Sequence, residues 1–281
     1  SNIQVGILLP GHTMKADGQC GSFLGNVALS NDSRVPVYIK CNPLKIVTIE
    51  LFASKLLEQL GLDTPIPYLV LCPKPLIPQE SLKVMQFLPG CKITIGETDY
   101  YWGFGTQKVP LPSIKQTIKQ GGSYPPELIQ SSVNLFSENC VNYPSIIGFD
   151  EWIANGDRNL GNLLWDGQKK FYLIDHGLAM DEGYFSHNGN ILLDLILKYL
   201  HPSTQKISSI FKRGHAFINN IREQDIDIAA QSLIDLNEPE ISKNVLSLSG
   251  LVKKRIESSK TSLLMRKPKS YTAELFNVKV N

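Results

Sequence analysis

Residues 150–180 read DEWIANGDRNLGNLLWDGQKKFYLIDHGLAM. An Asp-Arg pair (Asp157, Arg158) is followed by Asn162, then by two short apolar runs, then by Asp-x-Gly at Asp175, His176 and Gly177. Residues 145–155 place Ile146, Phe149, Trp152 and Ile153 at helical spacing, and Asn155 and Gly156 suit the C-terminal end of that helix. Asp157 to Asn162 then reads as a loop. Residues 162–165 (NLLW) and 170–174 (KFYLI) flank Asp166-Gly167, a strong hairpin signal. A hairpin returns the chain on itself, so this order predicts Asp175 beside Asn162.

These residue types suit phosphoryl transfer from a nucleotide. That chemistry asks little covalent work of a protein; it needs charge neutralisation, in-line positioning and an oriented nucleophile. Magnesium takes oxygen ligands, commonly one or two carboxylates with phosphate oxygens and water. Asp175 is a hard anionic ligand, Asn162 offers a neutral carbonyl oxygen, and Asp157 is left to accept a hydroxyl proton. Taken singly, Asp-Arg also fits a surface ion pair at a turn and Asp-His-Gly an ordinary strand end; the ordered set of helix, loop, hairpin and Asp-x-Gly carries the signal.

Residues 149–179 (FDEWIANGDRNLGNLLWDGQKKFYLIDHGLA) resemble the catalytic segment of HipA-like kinases. They are similar, more distantly, to phosphatidylinositol 3- and 4-kinases, which share a DRHxxN loop followed by a metal-binding Asp. Stand-alone HipA-like kinase domains that read Ile-Asp-His-Gly at the metal site are the nearer match, as at Ile174 to Gly177. The resemblance implies Asp157 as catalytic base and Asn162 and Asp175 as magnesium ligands and catalytic residues. Asn159 stands where the pattern has His, and if that His assists proton transfer in some relatives, Asn159 cannot do so.

The N-terminal third offers nucleotide-binding candidates. Residues 35–40 (VPVYIK) predict a strand ending in Lys40, and Ile46, Ile49, Ala53, Leu56, Leu57 and Leu60 predict an amphipathic helix over 46–60 that stops at Gly61. Glu50 lies in its first turns. A strand Lys on the phosphates, held by a helix Glu, is the kinase arrangement; a solvated strand-end Lys and a carboxylate favoured by the helix dipole are the alternatives. The segment YIKCNPLKIVTIELFASKLLEQLGLDTPIP resembles the lysine strand, nucleotide-side helix and Pro-rich turn of HipA-like kinases, which assigns Lys40 and Glu50 to the nucleotide. Gly18, Gly21 and Gly25 in GQCGSFLGN fit either a phosphate-covering loop or a plain turn. Residues 82–88 (LKVMQFL) predict a strand that runs into Pro89-Gly90. In the kinase layout its backbone at Gln86, Phe87 and Leu88 bonds an adenine edge; a plain core strand is the alternative.

Composition is that of a globular chain, 42% hydrophobic and 19% charged, so a sizeable core is available. No apolar run approaches the roughly 20 residues of a membrane span, and no secretory signal is evident. The five cysteines lack metal-ligand spacing, which fits a reducing, cytoplasmic setting; Cys41 reads as a buried small hydrophobe or a neighbour of the nucleotide. Net charge of +2 gives no strong field for nucleic acid. Lys253, Lys254, Arg255, Lys260, Arg266, Lys267 and Lys269 form a late basic cluster, either a solvated helix face or a docking surface for an acidic partner, RNA or anionic lipid. Residues 91–110 read as a Gly- and aromatic-rich insert, and everything from Asn190 onward as helical.

The expected architecture is α+β, a two-lobed protein-kinase-like fold with a β-rich nucleotide-binding lobe over 1–88 and a mainly helical catalytic lobe over 89–281. The expected activity is ATP- and magnesium-dependent transfer of the γ-phosphate to a hydroxyl, as in a HipA-like serine/threonine kinase. The expected acceptor is a protein, and an antitoxin or other regulatory protein is the expected partner. A lipid or small-molecule kinase, or a nucleotide-binding module of a toxin–antitoxin pair, are the alternatives.

Overall fold

The computed structural model describes residues 2–11, 13–14, 21–85, 92–118, 125–180, 189–199 and 204–266. In chain order the first elements are β1 (Gln4–Leu8), β2 (Thr13–Met14), β3 (Phe23–Leu29), β4 (Arg34–Cys41), α1 (Leu44–Gln59) and β5 (Pro67–Pro73). There follow α2 (Gln79–Met85), β6 (Lys92–Ile95), β7 (Thr98–Gln107), α3 (Ile114–Thr117), α4 (Pro126–Asn139) and α5 (Tyr143–Trp152). The chain closes with β8 (Leu163–Trp165), β9 (Phe171–Leu173), α6 (Ile191–Tyr199), α7 (Thr204–Asn219), α8 (Glu223–Ile234) and α9 (Pro239–Met265). The chain is thus α+β, as expected. It divides into two compact units, neither continuous in sequence: 1–111, 172–178 and 223–250 form one, and 112–171, 179–222 and 251–281 the other.

In the first unit, β1 bonds β5 in parallel and β3 in antiparallel fashion, so the path β1-β5-β7-β4-β3 closes on itself. The result is a small barrel, with β2 and β6 attached outside the ring. Strand alternation sends Val37, Ile39 and Cys41 of β4 inward, to join Leu8, Phe23, Val27, Tyr68, Val70 and Cys72 in one core. A barrel this narrow leaves little room, and glycines supply it. A Cβ on Gly25 would lie 2.6 Å from Leu8 Cδ1, and one on Gly105 2.5 Å from Val37 Cγ1. Gly25 is therefore a packing residue of β3, not part of a phosphate-covering loop. Gly21 takes φ +64 and its carbonyl accepts the Ser81 hydroxyl at 2.5 Å, while Gly18 lies outside the described residues.

Two predicted elements differ. Residues 79–85 are helix, where a strand over 82–88 was predicted. Pro78 precedes the helix and accepts the Leu82 N–H at 3.0 Å, and Leu82 packs on the barrel core. A short apolar run with residues at both two- and three-residue spacing does not separate the two periods. The described part of the expected insert, residues 92–110, is no insert: β7 is a central strand between β5 and β4, and its Tyr101 and Phe104 are buried.

Helix α1 stops as predicted, with Gly61 at φ +71 and the Leu62 N–H bonded back to the Leu57 carbonyl. It is buried on nearly every side from Val47 to Leu57, rather than along one stripe. The reason is α8, which packs against α1 in this same unit, not in a separate helical body.

In the second unit α5 crosses α7 closely. A Cβ on Gly148 would lie 2.7 Å from the Gly214 carbonyl oxygen. Phe136 of α4 meets Tyr143 and Phe171 edge-on, and Trp165 stacks on Phe171. Strands β8 and β9 form the predicted hairpin. Its turn is held by the Asp166 carboxylate, which accepts the N–H groups of Gln168, Lys169 and Lys170 at 2.8, 3.0 and 3.0 Å. No helix of the described residues is long and apolar enough to cross a membrane.

Candidate functional site

The first unit gathers Lys40, Glu50 and Asp175. Alternation along β4 places Lys40 on the face opposite the barrel core. Helix α1 presents Glu50, 1% exposed. The segment carrying Asp175 is tied down by the Leu173 N–H on the Asp63 carbonyl and by the Thr64 hydroxyl on the Leu173 carbonyl, both at 2.9 Å. Lys40 Nζ stands 2.7 Å from Asp175 Oδ1 and 3.5 Å from Glu50 Oε1. Glu50 Oε2 accepts the His176 N–H at 2.7 Å, so one buried carboxylate holds both the lysine and the Asp-x-Gly backbone.

Asp175 adopts φ +63, a left-handed conformation that Asp and Asn tolerate better than most residues. The backbone at Gly177 packs closely: a Cβ there would lie 3.2 Å from Ile46 Cγ2 and 3.3 Å from Glu50 Oε1. Burial pushes the Glu50 carboxyl up from its ordinary range; the Lys40 charge draws it down, and the Asp175 charge raises it again. Cys41 is buried in the barrel core beside Cys72, whose thiol burial pushes well above its usual value.

The second unit holds Asp157 and Asn162 on the loop after α5. Arg158 is fully buried rather than part of a surface ion pair. Its Nε donates to both Asp150 oxygens, at 3.1 and 3.3 Å, and its Nη2 donates to Oδ1 at 3.2 Å. Asn155 donates from Nδ2 to Asp150 at 3.3 Å and accepts the Asp157 N–H at 3.2 Å. Asn162 donates from Nδ2 to the Asp157 carbonyl at 2.8 Å. Burial raises the Asp150 carboxyl, against the pull of Arg158. Asp150 and Asn155 thus hold the loop, a role the sequence reading missed. The one signal for it was an acidic residue on the apolar face of the predicted helix.

Two members of the late basic cluster, Arg255 and Arg266, turn inward. Arg255 donates to the Trp152 and Glu151 carbonyls at 2.8 and 2.9 Å, closing the C-terminal end of α5. Trp152 Nε1 donates to the Val252 carbonyl at 2.8 Å, and Arg266 Nε lies 3.2 Å from Glu151. Lys260 pairs with Glu257 at 2.6 Å. Lys267 and Lys269 lie outside the described residues, as do Gln86, Phe87 and Leu88, the expected adenine contacts.

The family profile described as HipA-like kinase matches residues 30–190, more than half of the chain. No curated protein matches it. Among solved structures, the chain is similar to the Helicobacter pylori proinflammatory kinase CtkA, with 11% identity, TM-score 0.49, and coverage of 90% of this chain and 95% of that one. The N-terminal 618-residue fragment of LepB from Legionella pneumophila gives 12% identity, TM-score 0.45, and coverage of 82% and 45%. HipA of Shewanella oneidensis MR-1, solved with HipB and operator DNA, gives 8% identity, TM-score 0.44, and coverage of 89% and 66%.

Proposed function

The chain belongs to the HipA-like kinase family, and on that premise we propose that it is an ATP-dependent phosphotransferase that moves the γ-phosphate to a protein serine or threonine hydroxyl. The observation that carries this is the Lys40 ammonium held 2.7 Å from Asp175 and 3.5 Å from a buried Glu50 within one compact unit. A lysine so oriented offers a fixed positive charge to nucleotide phosphates. The two-lobed kinase-like arrangement, with ATP on the barrel side, belongs to the same proposal.

In this mechanism Asp157 accepts the proton of the acceptor hydroxyl as its oxygen bonds to the γ-phosphorus. The bond from that phosphorus to the bridging oxygen breaks, and ADP leaves. Lys40 positions the phosphates, and Glu50 orients Lys40. The donor set also fits magnesium. The Asp175 side chain is 40% exposed. Asn162 commits its Nδ2 to the Asp157 carbonyl, which leaves Oδ1 as its acceptor atom. A carboxylate and a carbonyl oxygen match the preference of that ion, which when bound neutralises phosphate charge.

The test is incubation with γ-labelled ATP and magnesium, following label into protein, lipid and released phosphate, wild type beside Asp157→Ala and Asp175→Ala. Transfer to protein by the wild type, lost in both variants, is the expected result. Label in lipid alone would move the acceptor class, and no label at all would overturn the activity. A regulatory partner of the antitoxin kind would be sought by co-purification with the full chain.

A further inference from the structure

Asn159 performs two tasks with one amide. Its Oδ1 accepts the Gly161 N–H at 2.8 Å and so caps the short 3-10 turn Leu160–Asn162. Its Nδ2 donates to the Asp157 carboxylate Oδ1 at 3.3 Å and to the Asp157 carbonyl at 3.2 Å. That carbonyl also receives the Asn159 N–H at 2.7 Å and Asn162 Nδ2 at 2.8 Å. The main chain at Asp157 is therefore pinned by three asparagines, its carbonyl by Asn159 and Asn162 and its N–H by Asn155, and the carboxylate itself is touched by Asn159.

The terminal torsion of an Asp is broad and roughly two-fold, so a half-buried carboxylate such as that of Asp157 samples several orientations unless a donor holds it. A donor on one oxygen selects among them. An amide suits this purpose better than a cation, because it orients the carboxylate without neutralising it. The neighbouring glycine keeps the geometry open: a Cβ on Gly161 would lie 2.8 Å from Asn159 Oδ1.

We infer that Asn159 is a positioning residue, holding the Asp157 carboxylate in one orientation for proton acceptance while its carbonyl caps the turn. This rests on the phosphotransferase reading and adds a residue to it. The two tasks separate chemically. Asn159→Asp is isosteric and keeps an acceptor for the Gly161 N–H, but it replaces the donor with a carboxylate facing Asp157. Asn159→Ser also keeps a capping oxygen without reaching Asp157, and Asn159→His restores an N–H donor.

The experiment measures label transfer and ATP hydrolysis by the full chain, with melting temperature, for each variant. Asn159→Asp and Asn159→Ser are expected to lower kcat by about tenfold or more, with KM for ATP and melting temperature near wild type and with partial recovery in Asn159→His. Wild-type kcat in Asn159→Ser, which keeps the capping oxygen, would reduce the residue to a cap and overturn the inference; equal losses in all three variants would overturn it too, since a restored N–H donor would then recover nothing. The bond is also read without turnover: the Asn159 side-chain NH2 resonances are expected to shift in Asp157→Ala, and unmoved resonances would equally overturn it. Should the wild type transfer phosphate to nothing, water included, the phosphotransferase reading falls and the positioning role falls with it, whatever the resonances show.

Discussion

The Arg158–Asp150 pair of the second unit and the Lys40–Asp175 pair of the first are built differently. Arg158 and Asp150 are both 0% exposed and joined by several hydrogen bonds, and Asn155 adds another. Lys40 and Asp175 are 22% and 40% exposed and meet through one ammonium. A planar guanidinium on a carboxylate makes a rigid fork, whereas an ammonium on a flexible stem is a point charge. The buried pair cannot lose a member without stranding a charge. The Lys40–Asp175 pair already meets water, so neither of its members is fully desolvated. Residues of one sequence motif can thus do opposite work: Arg158 secures the backbone on which Asp157 stands, while Asp175 keeps contact with water.

Breaking the buried pair should give the largest effect. Arg158→Leu is expected to cost about 3–5 kcal/mol in urea unfolding, because Asp150 is left buried and uncompensated. Replacing both members sharpens the point: Arg158→Met with Asp150→Leu should recover most of that loss, since well-packed apolar groups often match a buried ion pair. A total loss no smaller than that of the single variant would show the pair to be more than a local lock.

The next effect is one of pH. The Glu50 carboxyl is raised from its ordinary 4.5, so from pH 4.5 up to that raised value the folded chain holds a proton that the unfolded chain has released. Stability contributed by Glu50 is therefore lost as pH rises through that window, with a slope of at most about 1.4 kcal/mol per pH unit. Glu50→Gln should flatten the profile of unfolding free energy over the same window, and an unchanged slope would assign it to other groups.

The smallest stability effect belongs to the exposed pair. Asp175→Asn should change unfolding free energy by less than about 1 kcal/mol, since partly exposed pairs contribute little and Asn tolerates the left-handed backbone. The same variant should lose phosphate transfer. A large loss of stability would make Asp175 a structural residue and remove the contrast with Asp150.

What was legible in the sequence follows from which interactions are local. The β8–β9 hairpin, β4, α1, α5 and the run of C-terminal helices come from short-range periodicity and turn chemistry, and all are present. The pairing of Lys40 with Glu50 is legible as a strand lysine held by a helix carboxylate; that Asp175 meets Lys40 is not, because the hairpin reading concerns only Asp175 and Asn162. What stayed hidden depends on partners distant in the chain. Nothing near Gly25 announces that its missing side chain makes room for Leu8. Nothing near Arg255 announces that its guanidinium closes the end of α5 rather than facing solvent. The face of α1 that looks solvent-exposed in sequence is covered by α8, and β7 looks like an insert until β4 and β5 flank it.

The covering of α1 by α8 has a consequence for synthesis. The strands that close the barrel have all left the ribosome by Gln107, yet the helix that seals α1 begins only at Glu223. At about 5–20 residues per second, α1 would wait on the order of ten seconds with apolar surface bare. A nascent chain that has reached the hairpin therefore carries an unfinished first unit, and during that interval it is a client for whatever binds exposed hydrophobic helices.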